Sequence, residues 1–91
     1  MTENEKVAYF LEHLWTKGFK LDDEEVNFIF FGMKYTNTSA KQVIVAISLT
    51  LQVQVEFNRS YYVRLLELFH ENNITSMEQG KQLINVNVSR D

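Results

Sequence analysis

The chain has 91 residues, of which 45% are hydrophobic and 13% aromatic, and its formal net charge is −3. This length and apolar content predict a single globular domain over residues 1–91 and argue against a disordered chain. The sequence contains no cysteine, which excludes a disulfide framework, a thiolate zinc site and a cysteine nucleophile.

The sequence gives no sign of a membrane segment or of an export signal. No apolar run reaches the roughly 18 residues of a membrane helix. The start of the chain, from Met1 to Glu5, is acidic and does not resemble the basic first segment of a signal peptide. We therefore expect a cytoplasmic protein.

Helix starts are the clearest local signals in the sequence. In a capping box, Ser, Thr or Asp pairs with a Glu or Gln three residues later, and both side chains bond backbone N–H groups of the first turn. Four such pairs occur: Thr2 with Glu5, Asp22 with Glu25, Ser39 with Gln42, and Thr75 with Glu78. Gly and Asn favour the left-handed backbone of a helix end. The expected ends are Gly18-Phe19 and Asn73-Ile74, with weaker ones at Asn37 and Asn58.

These signals predict five segments, over 3–17, 23–36, 40–57, 60–72 and 76–87. Apolar residues at helical spacing support three of them. They are Val7, Phe10, Leu11 and Leu14 in the first, with Ala8 and Trp15 widening the stripe, Val26, Ile29, Phe30 and Met33 in the second, and Tyr62, Leu65, Leu66 and Phe69 in the fourth. The fifth segment is weaker because Gly80 costs a helix about 1 kcal/mol relative to Ala.

The third segment is ambiguous between helix and strand. Its odd positions from Val43 to Phe57 are all apolar and most even positions are polar, an alternation that favours a strand. A long hairpin over 26–57 would then make the chain α+β. However, a strand of this length is unusual, and Ser39 supplies a helix cap. We predict an all-α protein, a compact bundle of four to five short helices with a central apolar helix near 40–57.

The sequence carries no motif for catalysis or nucleotide binding, and its three scattered glycines cannot form a phosphate-binding loop. His13 and His70 are expected on the solvent-facing sides of separate helices. The acidic run over 22–25 is expected to stabilise a helix N-terminus through the helix dipole. We therefore expect a protein that is not an enzyme and that uses no cofactor or metal.

The apolar content is large for so small a core, which favours a homodimer. A monomer with a well-filled core is the alternative. The dimer would bury one face of the central helix or of the helix over 61–69, and the residues expected on the central helix are Ile44, Ile47, Leu51 and Val55. A second surface is predicted at the start of the fourth helix, because Tyr and Arg are enriched at protein–protein hot spots. The partner-binding residues expected there are Arg59, Tyr61, Tyr62 and Arg64.

These features predict a small, non-catalytic protein–protein interaction or regulatory module that forms a homodimer, of a kind common on bacterial mobile elements. The alternative is a helix-turn-helix regulator of DNA that uses residues 60–87. Its second helix carries side chains of the types that read base edges, namely Gln79, Lys81, Gln82 and Asn85. The negative net charge argues against this alternative, because DNA affinity depends on neutralising phosphates.

Overall fold

Five helices account for most of the chain in the computed structural model, which describes residues 1–54 and 56–87. They are α1 (Glu3–Thr16), α2 (Asp23–Thr36), α3 (Ala40–Gln54), α4 (Arg59–Asn72) and α5 (Met77–Asn87). The described ranges contain no strand. The all-α prediction is therefore confirmed, and the alternative hairpin over 26–57 is wrong.

Three of the four predicted capping boxes form. In each, the first residue accepts an N–H bond from the third residue of the helix, whose side chain accepts the N–H of the first: Thr2 with Glu5, Asp22 with Glu25, and Ser39 with Gln42. The fourth prediction, Thr75 with Glu78, is wrong. The N–H of Gln79 bonds the Ser76 hydroxyl, and the Gln79 side chain accepts the N–H of Thr75. Helix α5 therefore starts one residue later than predicted. The backbone N–H of Ile74 is still bonded to the Phe69 carbonyl at the end of α4.

The predicted helix ends form at Gly18, Asn37 and Asn73, whose φ angles of 95°, 55° and 54° are left-handed. The N–H of Ile74 bonds the Phe69 carbonyl across the end of α4 at 3.0 Å. Asn58 has a different role from the expected one. Its side chain accepts the N–H of Tyr61 at 3.0 Å, so it starts α4 rather than ending α3.

The central apolar helix is confirmed as α3, which ends at Gln54 rather than at residue 57. It packs against each of the other four helices. Eight of its 15 residues are buried, including the polar Gln42 and Thr50. The Thr50 hydroxyl donates to the Ala46 carbonyl at 2.7 Å. A helix enclosed from several sides needs no continuous polar face, which explains why its sequence also fits a strand pattern.

Two side-chain contacts fix the N-terminal end of α3. The Glu3 carboxylate of α1 accepts the N–H of Ala40 at 2.7 Å. The Gln42 amide donates to the Phe69 carbonyl of α4 at 3.0 Å. A backbone N–H that the first turn of α3 leaves unpaired is thus satisfied by α1, and the Phe69 carbonyl, which also accepts the N–H of Ile74, joins α3 to α4.

Two helical glycines face neighbouring helices at short distance. A Cβ at Gly32 of α2 would lie 3.1 Å from the Tyr62 ring and 3.3 Å from Leu66, both on α4. A Cβ at Gly80 of α5 would lie 2.7 Å from Leu49 and 3.2 Å from Val45, both on α3. Gly80 therefore lies within the contact between α5 and the central helix and leaves no free space for a side chain there.

Tyr62 and Tyr61 are neighbours in α4, and their hydroxyl groups differ in hydrogen bonding. Tyr62 is fully buried, and its hydroxyl donates to the Ile29 carbonyl of α2 at 2.9 Å. Burial raises the pKa of the Tyr62 phenol well above its usual range. The Tyr61 hydroxyl is also enclosed, but it finds no hydrogen-bond partner among the described residues.

We expect Gly80→Ala to lower the free energy of unfolding by about 1 kcal/mol, since overpacking against Leu49 and Val45 outweighs the better helix propensity of Ala. Urea denaturation measures this change. Gln82→Ala on the exposed side of α5 is the control and should be neutral or slightly stabilising. A more stable Gly80→Ala protein would show that α5 does not approach α3 this closely.

Substitution of the two tyrosines by Phe should change the free energy of unfolding in opposite directions. Tyr62→Phe removes a satisfied buried hydrogen bond and should destabilise the protein by about 1 kcal/mol. Tyr61→Phe removes an enclosed hydroxyl without a partner and should stabilise it by about 1 kcal/mol. Each variant serves as the control for the other in urea denaturation. Equal effects of the two substitutions would contradict the assigned environments.

Glu3 predicts part of the acid sensitivity of the fold. The hydrogen bond from Ala40, and then the one from Lys6, lower the pKa of the Glu3 carboxyl below its ordinary value of 4.5. The resulting stability is present above the unfolded-state pKa and is lost as the pH falls through the folded-state pKa. Glu3→Gln should therefore be less stable at neutral pH and lose less stability on acidification than the wild type. Urea midpoints between about pH 7 and pH 3 test this, with Glu71→Gln as control, and identical pH profiles would contradict it.

Candidate interaction surface

Helix α2 presents two large, exposed aromatic side chains on one face. Phe31 is 61% exposed and Tyr35 is 71% exposed. Their rings stack with centroids 5.8 Å apart and an angle of 15° between planes. Phe28, one turn earlier and half-buried, lies 6.3 Å from Phe31. We call Phe28, Phe31 and Tyr35 the aromatic stripe.

Charged groups lie at both ends of the aromatic stripe. Near the N-terminal end of α2, the Arg59 guanidinium of α4 lies over the Phe28 ring, 5.4 Å from its centroid. The same guanidinium is 3.7 Å from the Glu24 carboxylate. Such exposed pairs contribute little to stability, but both contacts place Arg59 beside the stripe. Lys34 lies in the last turn of α2.

A groove of about 330 Å³ lies on the other side of α2, between it and α1. We call it the α1–α2 groove. Its apolar lining consists of Ala8, Leu11, Trp15, Leu21, Val26 and Phe30. Its two charged lining residues, Glu12 and Asp23, are both carboxylates. The Lys20 ammonium lies 5.3 Å from the centroid of the Trp15 ring.

The groove exists because α1 and α2 pack mainly against different helices. The main contacts of α1 are with α3, whereas those of α2 are with α4. Val7 and Leu14 of α1 are therefore buried, but Trp15 on the flank remains 54% exposed. The widened apolar stripe of the first helix is thus only partly covered.

The structure separates the four predicted partner-binding residues. Arg59 and Arg64 are exposed, and Tyr61 is half-buried. Tyr62 is a core residue that bridges α4 and α2. The two tyrosines do not form one surface patch, because neighbouring residues of a helix point about 100° apart. Two of the four contact Phe28 of the aromatic stripe: the Arg59 guanidinium lies over its ring from the surface, and the Tyr62 ring lies beside it from the core, with centroids 6.3 Å apart.

The predicted dimer residues of the central helix are mostly covered by the fold itself. Ile47 is fully buried, and Ile44 and Leu51 are half-buried. Val55 lies outside the described residues. The prediction that this helix supplies a dimer interface stays a prediction, and Val53 on the same helix is 43% exposed.

The residues proposed for DNA contact all lie on the outer side of α5, where Gln79, Lys81, Gln82 and Asn85 are exposed. The Gln79 side chain is already used at the start of the helix. Residues 60–87 hold two cations, Arg64 and Lys81, against three carboxylates. The charge of this helix pair therefore does not favour a phosphate backbone.

Sequence reasoning missed both surfaces on α2. The aromatic stripe lies at i, i+3 and i+7, away from the expected core positions Ile29 and Met33. The sequence signal that could have revealed the stripe is the presence of aromatic residues on α2 outside its apolar core positions. The groove had no comparable signal, because it depends on the angle between two helices.

Two features are absent from the residues that the structure describes. No helix in this part of the chain is long and apolar enough to cross a membrane. Within the same ranges, no cluster of His, Cys, Asp and Glu is arranged to hold a metal ion.

Neither a comparison with curated proteins nor a comparison with solved structures gives a significant match. One family model matches residues 1–87, which is nearly the whole chain. The chain therefore belongs to DUF6123, a family of unknown function.

Proposed function

We propose that this protein is a cytoplasmic, non-catalytic interaction module that forms a homodimer through the aromatic stripe of α2. The observation that carries the proposal is the exposure of Phe31 and Tyr35, two stacked rings on a well-formed helix. Exposed aromatic clusters of this kind mark protein-binding sites more often than single exposed apolar residues do.

The charges on α2 favour a second copy of the chain as the occupant. The first turn of α2 holds Asp23, Glu24 and Glu25, and the last turn holds Lys34. In a two-fold dimer the same surface meets itself. Two antiparallel α2 helices would place the acidic end of each beside Lys34 of the other. The charges of α2 itself are therefore complementary between the two copies; Arg59 of α4 already pairs with Glu24, and Glu67 and Glu71 of α4 lie near Tyr35.

The spacing along α2 also suits an antiparallel pair. Glu24, Phe28, Phe31 and Tyr35 follow one another at intervals of four, three and four residues, which keeps them on one side of the helix. If Glu24 faces Lys34 of the second copy, Phe28 and Phe31 meet their counterparts near the two-fold axis. Aromatic pairs then fill the centre and opposite charges surround it.

The helix-turn-helix alternative has less support. The exposure of Lys81 and Gln82 is compatible with it, but α5 packs mainly on α3, and the surplus of carboxylates in 60–87 opposes it. Purified protein free of nucleic acid, read from the ratio of absorbance at 260 and 280 nm, would favour the interaction module. Nucleic acid that is released by high salt would favour the regulator.

The dimer is tested by the solution mass of the full chain over a range of concentrations, using light scattering and sedimentation. Phe31→Lys should raise the dissociation constant by at least about a hundredfold, because it removes a central ring and places like charges near the axis. Tyr9→Lys is the matched control, since Tyr9 is another exposed aromatic residue, 57% exposed on α1. It should leave the dimer unchanged.

A charge exchange tests the antiparallel arrangement. Glu24→Lys and Lys34→Glu should each weaken the dimer, and the double variant should restore it to within a few fold. Circular dichroism should show the same helix content in all variants. A wild-type protein that stays monomeric at high concentration, or a dimer indifferent to Phe31→Lys, would overturn the proposal.

A further inference from the structure

The α1–α2 groove combines an apolar floor with an anionic border. Leu11 and Leu21 line it as half-buried side chains, whereas Trp15 is more than half exposed. Its volume of about 330 Å³ is at the lower limit of the roughly 300–1,000 Å³ found for ligand pockets. This space suits a few apolar side chains rather than a large cofactor.

The charges of the groove identify the chemistry of an occupant. Glu12 and Asp23 line it from opposite helices, and within the described ranges neither carboxylate takes part in an ion pair. Lys20 is the cation in contact with the groove wall, and it is engaged on the Trp15 ring. Residues 1–25 hold seven acidic and three basic side chains, a net charge of −4. An occupant with positive charge beside its apolar face would be complementary to this site.

We propose that the α1–α2 groove binds an amphipathic helix of another protein, whose apolar residues are flanked by Lys or Arg. This inference rests on the proposed role as an interaction module, but it does not depend on the dimer. Ala8, Glu12 and Trp15 follow one another at about one turn of α1. A partner helix lying along α1 would present residues at i, i+3 or i+4, and i+7, which is how helices bind in grooves.

The chain contains a natural reporter for this site, because its single tryptophan, Trp15, lines the groove. The probe is a synthetic peptide of about 15 residues, or four turns, with Leu on one face and Lys on both flanks. Titration into the full chain should shift the Trp15 emission to shorter wavelength and saturate. A twin peptide with Glu in place of Lys should bind at least about tenfold more weakly.

Two variants distinguish binding of the peptide in the groove from non-specific electrostatic attraction between the peptide and the acidic chain. Ala8→Leu fills the groove without changing any charge and should weaken binding by about tenfold or more. The double variant Glu12→Gln with Asp23→Asn should weaken the Lys peptide and reduce its preference over the Glu twin. Tyr9→Ala, an exposed position of α1 outside the groove lining, is the control and should bind as the wild type does.

The outcomes are distinct from those of the dimer test. Equal binding by wild type and Ala8→Leu would overturn the groove proposal, and so would equal affinity for the two peptides. If the Trp15 emission instead followed dissociation of the dimer on dilution, a second copy would occupy the groove, which overturns the proposal as well. Phe31→Lys should keep its affinity for the Lys peptide even when it no longer dimerises.

Discussion

The structure depends on the burial of α3 from several sides. Val43, Ala46 and Ile47 are fully enclosed, and a helix of this composition is stable in water only when its neighbours cover it. The other four helices therefore all pack on α3. Glu3 and Gln42 strengthen this arrangement by joining the start of α3 to α1 and to the end of α4.

The candidate surfaces follow from this arrangement. Because α1 packs mainly on α3 and α2 mainly on α4, the facing sides of α1 and α2 are only partly covered and form the α1–α2 groove. The outer side of α2 is only partly flanked by α4, through Arg59 on the Phe28 ring, which leaves Phe31 and Tyr35 in solvent. Several apolar residues that the core does not use are thus found on two surfaces that involve α2, whereas most of the central helix is covered and Val53 is its large exposed apolar residue, at 43%.

Local interactions explain what could be predicted about the fold. Capping pairs such as Asp22 with Glu25 act within one turn of a helix, so residue types at fixed spacing reveal them. The wrong predictions of helix starts and ends occur where neighbouring residues offer two alternative caps. Ser76 with Gln79 starts α5 in place of Thr75 with Glu78, and Asn58 serves as a helix start rather than an end. Neither choice can be made without knowing the path of the chain on both sides.

The sequence by itself determined the all-α class, most of the helix limits and the identity of the central helix, because caps and apolar spacing act over a few residues. Only the tertiary structure decided which apolar residues are exposed. Tyr61 and Tyr62 illustrate the difference, since one is half-buried and the other is a core residue bonded to Ile29. Exposure depends on the angles at which helices cross and on close contacts such as those at Gly32 and Gly80, and both are set by packing between distant segments.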